Sequence, residues 1–156
     1  MKANYHIILA DDYVRFREEI KKIINGIPGV EIVAEVGEGK ELFKALETLR
    51  PDLVLLDIAM PNLRGMKATQ AIKFSYPEVK VILMVMDEEK EYQLHAMAAG
   101  ADGLLLKENS ATDLRRAIQK IRYGHQYFPR FLEKGKFGGI GEKFNSFRRY
   151  TLPSIC

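Results

Sequence analysis

A chain of 156 residues that is 47% hydrophobic and 29% charged has the composition of one globular domain with a proper core and room for a short appendage. No apolar run nears the roughly 20 residues that cross a membrane, and the opening MKANYHIILADD holds too short an apolar stretch for a secretory signal. The net charge of +3 is unevenly spread: from Lys120 onward eight Lys or Arg accompany two acids, whereas the first 119 residues carry 16 basic and 19 acidic side chains.

In chain order, the first strand is read at Tyr5–Ala10 and runs into ADD. A helix striped by Val14, Ile20, Ile23 and Ile24 follows, closed by Gly26 and Pro28-Gly29. The second strand is read at Glu31–Val36, and its helix carries Leu42, Leu46 and Leu49 before Pro51. Leu53–Asp57 is the third strand, followed by a helix marked by Met66, Ala68, Ala71 and Ile72. The fourth strand, Val79–Val85, contains most of VILMVMD, six apolar residues ended by an acid. A half-buried strand would alternate, so this one is covered on both faces. Leu94, Met97 and Ala98 mark the next helix, closed by Gly100. Gly103–Lys107 is the fifth strand. The last helix, with Leu114, Ala117, Ile118 and Ile121, opens at a Ser110/Asp113 capping box and ends at Gly124.

Five strands alternating with five helices predict an α/β fold: a five-stranded parallel sheet, doubly wound, in the flavodoxin-like order 2-1-3-4-5. That order places the switch point between strands 1 and 3, and ligands belong at the carboxyl ends there. Asp11 and Asp12 end strand 1 and Asp57 ends strand 3. Three clustered carboxylates repel unless a cation neutralises them, and oxygen-only ligands with room for water suit Mg²⁺. Lys107 ends strand 5 as a point charge suited to a phosphoryl oxygen. An acid at a strand end is more often a cap or turn former, but caps alone do not account for this set on strands 1, 3 and 5. The combination predicts phosphoryl transfer with Asp57 as a carboxylate nucleophile.

The stretches IILADDYVRFREEI, EVGEGKELFKAL, RPDLVLLDIAMPNLRGMKA and AAGADGLLLKENSATDLRRAI resemble the receiver domain of two-component response regulators. LLDIAMPNLRG and GADGLLLK are the specific parts, and the wording is most similar to CheY-like receivers that precede a helix-turn-helix domain of the LuxR/NarL/FixJ type. The resemblance covers roughly residues 4 to 124. It implies that Asp57 accepts a phosphoryl group from a sensor histidine kinase or phosphotransfer protein and that Lys107 contacts that group. It also implies that Asp11, Asp12, Asp57 and the backbone carbonyl of Ala59 hold Mg²⁺ (or Mn²⁺), and that Pro61 and Gly65 shape the loop after the acceptor.

Two positions depart from the family. It has Thr or Ser 22 residues before the lysine and Tyr or Phe three residues before it; here these are Val85 and Leu104. Residues 78 to 92 contain no Ser or Thr, so no shift of register restores the hydroxyl. Valine has nearly the shape of threonine but no donor. The site is therefore expected to be intact and the relay atypical. A phosphorylation-independent protein-binding pseudo-receiver is the alternative. A Mg-dependent phosphatase of the haloacid-dehalogenase type is disfavoured, because it needs a second acid where Ala59 stands.

The expected division is a receiver domain at 1–124 and a basic, aromatic, Gly-containing tail or linker at 125–156. DNA would be reached only through an output domain that 125–156 is too short to hold, leaving transcription regulation to that domain. A homodimer through helix 4, strand 5 and helix 5, or through helices 1 and 5, is left open, and no membrane partner is expected. The single cysteine, Cys156, excludes an internal disulfide and fits a reducing cytoplasm. His6, His95 and His125 stand beside no other ligand type at metal spacing.

Overall fold

The computed structural model describes residues 4–60, 63–86 and 90–128. Pro61, Asp87 and residues 129–156 of the tail lie outside the described residues. The elements are β1 (Tyr5–Ala10), α1 (Val14–Asn25), β2 (Val30–Val36), α2 (Gly39–Leu49), β3 (Leu53–Asp57), α3 (Gly65–Ser75), β4 (Lys80–Val85), α4 (Lys90–Ala98), β5 (Gly103–Leu106) and α5 (Ser110–Arg122), with a 3₁₀ turn at Lys107–Asn109.

The strands form one sheet in the order β2-β1-β3-β4-β5, every pairing parallel. This is the expected order. It follows from sequence: LVLLD in β3 and VILMV in β4 are buried at every residue, as strands covered on both faces must be. The helices divide between the faces. Phe16, Ile20 and Ile24 of α1 pack with Leu114, Ile118 and Ile121 of α5 on one side. Leu42 and Leu46 of α2, Ala68 and Ile72 of α3 and Ala96 of α4 cover the other. Each fully buried Leu or Ile contributes about 1.5–3 kcal/mol relative to exposure, so the sandwich is held chiefly by these two layers.

Several expectations shift by a residue or a face. β2 begins at Val30, β4 at Lys80, and β5 ends at Leu106, so Lys107 opens the turn rather than closing the strand. Val14 is 57% exposed and Phe16 replaces it in the core, because the buried stripe of α1 runs through 16, 20 and 24. Leu49 likewise faces solvent at the end of α2. The Ser110/Asp113 capping box does not form: Asn109 precedes the helix, and the Ser110 hydroxyl donates to the Lys107 carbonyl at 2.8 Å. Ser110 is thus bonded backward into the 3₁₀ turn that carries the lysine.

Beyond α5 the chain turns at Gly124, whose φ of +88° suits glycine, and returns to the sheet. Tyr127 forms a parallel bridge with Gly103 on the outer side of β5, and Phe128 is buried.

Candidate acidic site at the strand ends

The carboxyl ends of β1 and β3 lie side by side, with Ala10 paired to Leu56, so the residues that follow converge. Asp11 is fully buried. Its backbone N–H donates to the Val36 carbonyl at 3.0 Å, and its Oδ1 accepts the Tyr13 N–H at 2.8 Å. Arg17, one turn into α1, donates through Nη1 to the Asp11 carbonyl and pairs through Nε with Glu35 of β2 at 3.3 Å. The β1–α1 loop is therefore fixed from both sides. Asp12 is exposed at its mouth.

Asp57 ends β3 and is 3% exposed. Its Oδ1 accepts the Ala59 N–H at 3.0 Å, and the Ile58 N–H donates to Met84 of β4 at 3.0 Å. Carboxylate oxygens of Asp11, Asp12 and Asp57 come within 4.8 Å of one another, a group that could hold a metal ion. Lys107 reaches into it from the turn after β5. Its Nζ lies 2.7 Å from Asp11 Oδ2 and 3.2 Å from Asp57 Oδ2. The same ammonium stands 4.5 Å from the ring centroid of Phe16.

Three carboxylates and one ammonium leave a formal charge of −2, which a divalent cation neutralises. The Asp11 carboxyl is held above the usual carboxylate range, first by burial. The Lys107 ammonium and the Tyr13 amide oppose that rise, and the Asp57 charge adds to it. An anion this buried gains most from an added cation, so the donor set fits a hard oxygen-seeking metal.

All four charged residues expected at the site thus meet in one place. Gly65 begins α3 and lies against the Asp57 loop: a Cβ there would fall 2.7 Å from the Ile58 Cα. Val85 is the last residue of β4, 1% exposed and paired with Leu106, next to Lys107 in sequence. Leu104 is buried in the layer beneath α4. Phe16 and Arg17 also serve the site without belonging to the strand-end pattern; their signal in sequence is their place four and five positions beyond Asp12, about one helical turn away.

The family profile described as the response regulator receiver domain matches residues 7–119. The transcriptional regulatory protein DegU of Brevibacillus brevis is 36% identical over 121 residues, covering 78% of this chain and 51% of its own length. The oxygen regulatory protein NreC of Staphylococcus epidermidis is 33% identical over 122 residues, covering 78% and 56%. The chain therefore spans about half the length of the curated relatives it matches. Among solved structures, a LuxR-family two-component response regulator from Aurantimonas superposes with a TM-score of 0.77 at 25% identity, covering 94% of this chain and 99% of that one. The RcsB response regulator of Salmonella typhimurium superposes at 0.79 with 24% identity, covering 85% and 67%, a likeness of fold. On the profile, the relatives and the shared sheet order, this chain belongs to the receiver-domain family of two-component response regulators, among receivers of the LuxR/NarL type.

Proposed function

We propose that the chain is a phosphoacceptor whose nucleophile is Asp57, serving a sensor histidine kinase or phosphotransfer protein. The supporting observation is the clustering of Asp11, Asp12, Asp57 and Lys107, whose −2 charge matches one divalent cation. Asp11, Asp12, Asp57 and the Ala59 carbonyl would hold Mg²⁺, or Mn²⁺ in its place. When bound, the ion supplies charge neutralisation to the transferring phosphoryl oxygens.

The chain's own residues do the rest. An Asp57 oxygen attacks the phosphorus of a phosphohistidine; the O–P bond forms, the N–P bond breaks, and the electron pair stays on the imidazole nitrogen. The Ala59 N–H on Asp57 Oδ1 leaves Oδ2 to react. Lys107, paired with Oδ2 at rest, would move its charge onto the incoming phosphoryl group. Ala59 stands where an outside-substrate phosphatase needs its general acid, so no turnover beyond self-dephosphorylation is proposed.

Val85 and Leu104 make the relay atypical. One lost charge-assisted hydrogen bond is worth roughly 1.5–3 kcal/mol, the size of a usual allosteric coupling. The output, as the name of the transcriptional regulatory protein DegU says of that relative, would be transcriptional and lie in sequence outside the receiver unit. The test is acetyl phosphate or beryllofluoride with Mg²⁺: wild type should be labelled and Asp57→Asn should not. The second reading, a pseudo-receiver that signals through its surface alone, draws on the two missing switch side chains. It gains if Asp57→Asn leaves output in cells unchanged.

A further inference from the structure

The positions that lack the family's hydroxyl and aromatic are joined by an apolar row that is not left open at the sheet edge. Leu83 pairs with Leu104 and Val85 with Leu106, and all four side chains belong to the buried layer under α2, α3 and α4. β5 is the edge strand, and its outer side is taken by chain from beyond α5. The Tyr127 N–H donates to the Asp102 carbonyl at 3.0 Å, and the Leu104 N–H donates to the Tyr127 carbonyl at 2.9 Å. With Tyr127 opposite Gly103, Phe128 falls beside Leu104, and strand alternation turns both side chains to one face. Phe128 is 7% exposed and lies in the same layer as Val85, Leu104 and Leu106. Gly103 admits this close approach, since a Cβ there would stand 2.8 Å from the Tyr127 carbonyl oxygen.

We infer that Phe128 is the relay aromatic of this chain. The inference rests on the phosphoacceptor reading of Asp57. An aromatic on β5 signals by turning its own ring. An aromatic on a separate three-residue edge segment signals by changing how firmly that segment is paired. The state of Asp57 passes along the paired rows of β4 and β5 to Leu104, then to Phe128, and is read as a change in the Gly103–Tyr127 pairing. Two backbone hydrogen bonds, the buried Phe128 ring and the Tyr127 ring packed on the opposite layer make a short attachment, which local opening at Leu104 would alter.

The test uses the full 156-residue chain with Mg²⁺, with and without beryllofluoride, read by amide NMR and hydrogen exchange. Shifts at Asp57, Ile58 and Ala59 report occupancy of the acceptor. Exchange at Leu104 and Tyr127 reports the edge pairing, and amides of Leu114 and Ile118 report that the domain stays folded. Occupancy is expected to change exchange at Leu104 and Tyr127 about threefold or more, a local-opening effect. In Phe128→Ala the acceptor should still be occupied while the response at Leu104 disappears; Phe128→Tyr should keep it. An occupied acceptor with unchanged exchange at both amides overturns the relay and leaves the phosphoacceptor reading standing. A Leu104 response that survives Phe128→Ala overturns it too. No shift at Asp57 in the wild type fells the phosphoacceptor reading, and the relay with it.

Discussion

The Lys107 ammonium stands 4.5 Å from the Phe16 ring centroid while its charge is shared between Asp11 and Asp57 at 2.7 and 3.2 Å. The Lys107 side chain is only 10% exposed, so ring and ammonium meet largely out of water. A desolvated contact of this kind is worth up to about 2 kcal/mol, enough to bias where the lysine rests. Phe16→Leu keeps the apolar volume but removes the ring face. It should slow labelling by acetyl phosphate about three- to tenfold, with Phe16→Tyr near wild type. An unchanged rate in Phe16→Leu would assign the residue to packing alone.

Val85→Thr puts a hydroxyl where β4 ends, at a position 1% exposed. With no phosphoryl group to bond, that hydroxyl should destabilise the resting fold by about 1–3 kcal/mol in urea denaturation. With beryllofluoride bound it has an acceptor oxygen, so amide shifts should spread farther along β5 than in wild type. A smaller spread would argue against Val85 as the switch position.

Gly65→Ala forces a methyl to 2.7 Å from the Ile58 Cα, and backbone cannot yield as a side-chain tip does. Ile58 follows the acceptor directly. The substitution should therefore lower the Tm, with a cost of about 1–3 kcal/mol, and weaken Mg²⁺ binding by displacing Asp57. A lower Tm with unaltered Mg²⁺ affinity would show that the strain is absorbed by α3 instead.

Tyr5 provides a pH signature away from the site. Its phenol is pushed well above the ordinary value of about 10, first by burial and then by the Asp52 charge, with the Arg122 guanidinium opposing. Above pH 10 the unfolded chain releases this proton while the folded chain keeps it. The stability contributed by Tyr5 is thus fully present below about pH 10 and lost as the pH climbs toward the raised value. Chemical denaturation between pH 9 and 11 should show a steeper loss for wild type than for Tyr5→Phe. Parallel curves would place the alkaline titration elsewhere.

The sheet was legible because covered parallel strands leave long apolar runs, and VILMVMD is the clearest. The order followed from alternation and handedness. Asp11, Asp12, Asp57 and Lys107 were legible because each stands where a strand ends. What escaped is decided locally. The α1 stripe can start from Val14 or from Phe16, because the first turn of a helix is too short to fix the buried face, and Phe16 is the one that packs. The Ser110 hydroxyl chose a backbone carbonyl over a cap, a local competition that residue type does not decide. The bridge at Tyr127 spans too few residues to show an alternating pattern, and it depends on Gly103 as much as on itself.

The Gly103–Tyr127 bridge has a colloidal consequence as well. The sheet has two rims, and the β2 rim carries the exposed charge of Glu31, which discourages a neighbouring strand. β5 is GLLL, wholly buried and without charge, the kind of rim that recruits another chain. The returning segment covers that rim by taking the Leu104 N–H and the Asp102 carbonyl. Cutting at Gly124, where the last helix ends, would strip this cover and leave a sticky apolar margin. Light scattering of a 1–124 fragment beside the full chain should then show self-association that the longer molecule resists, at equal concentration and salt.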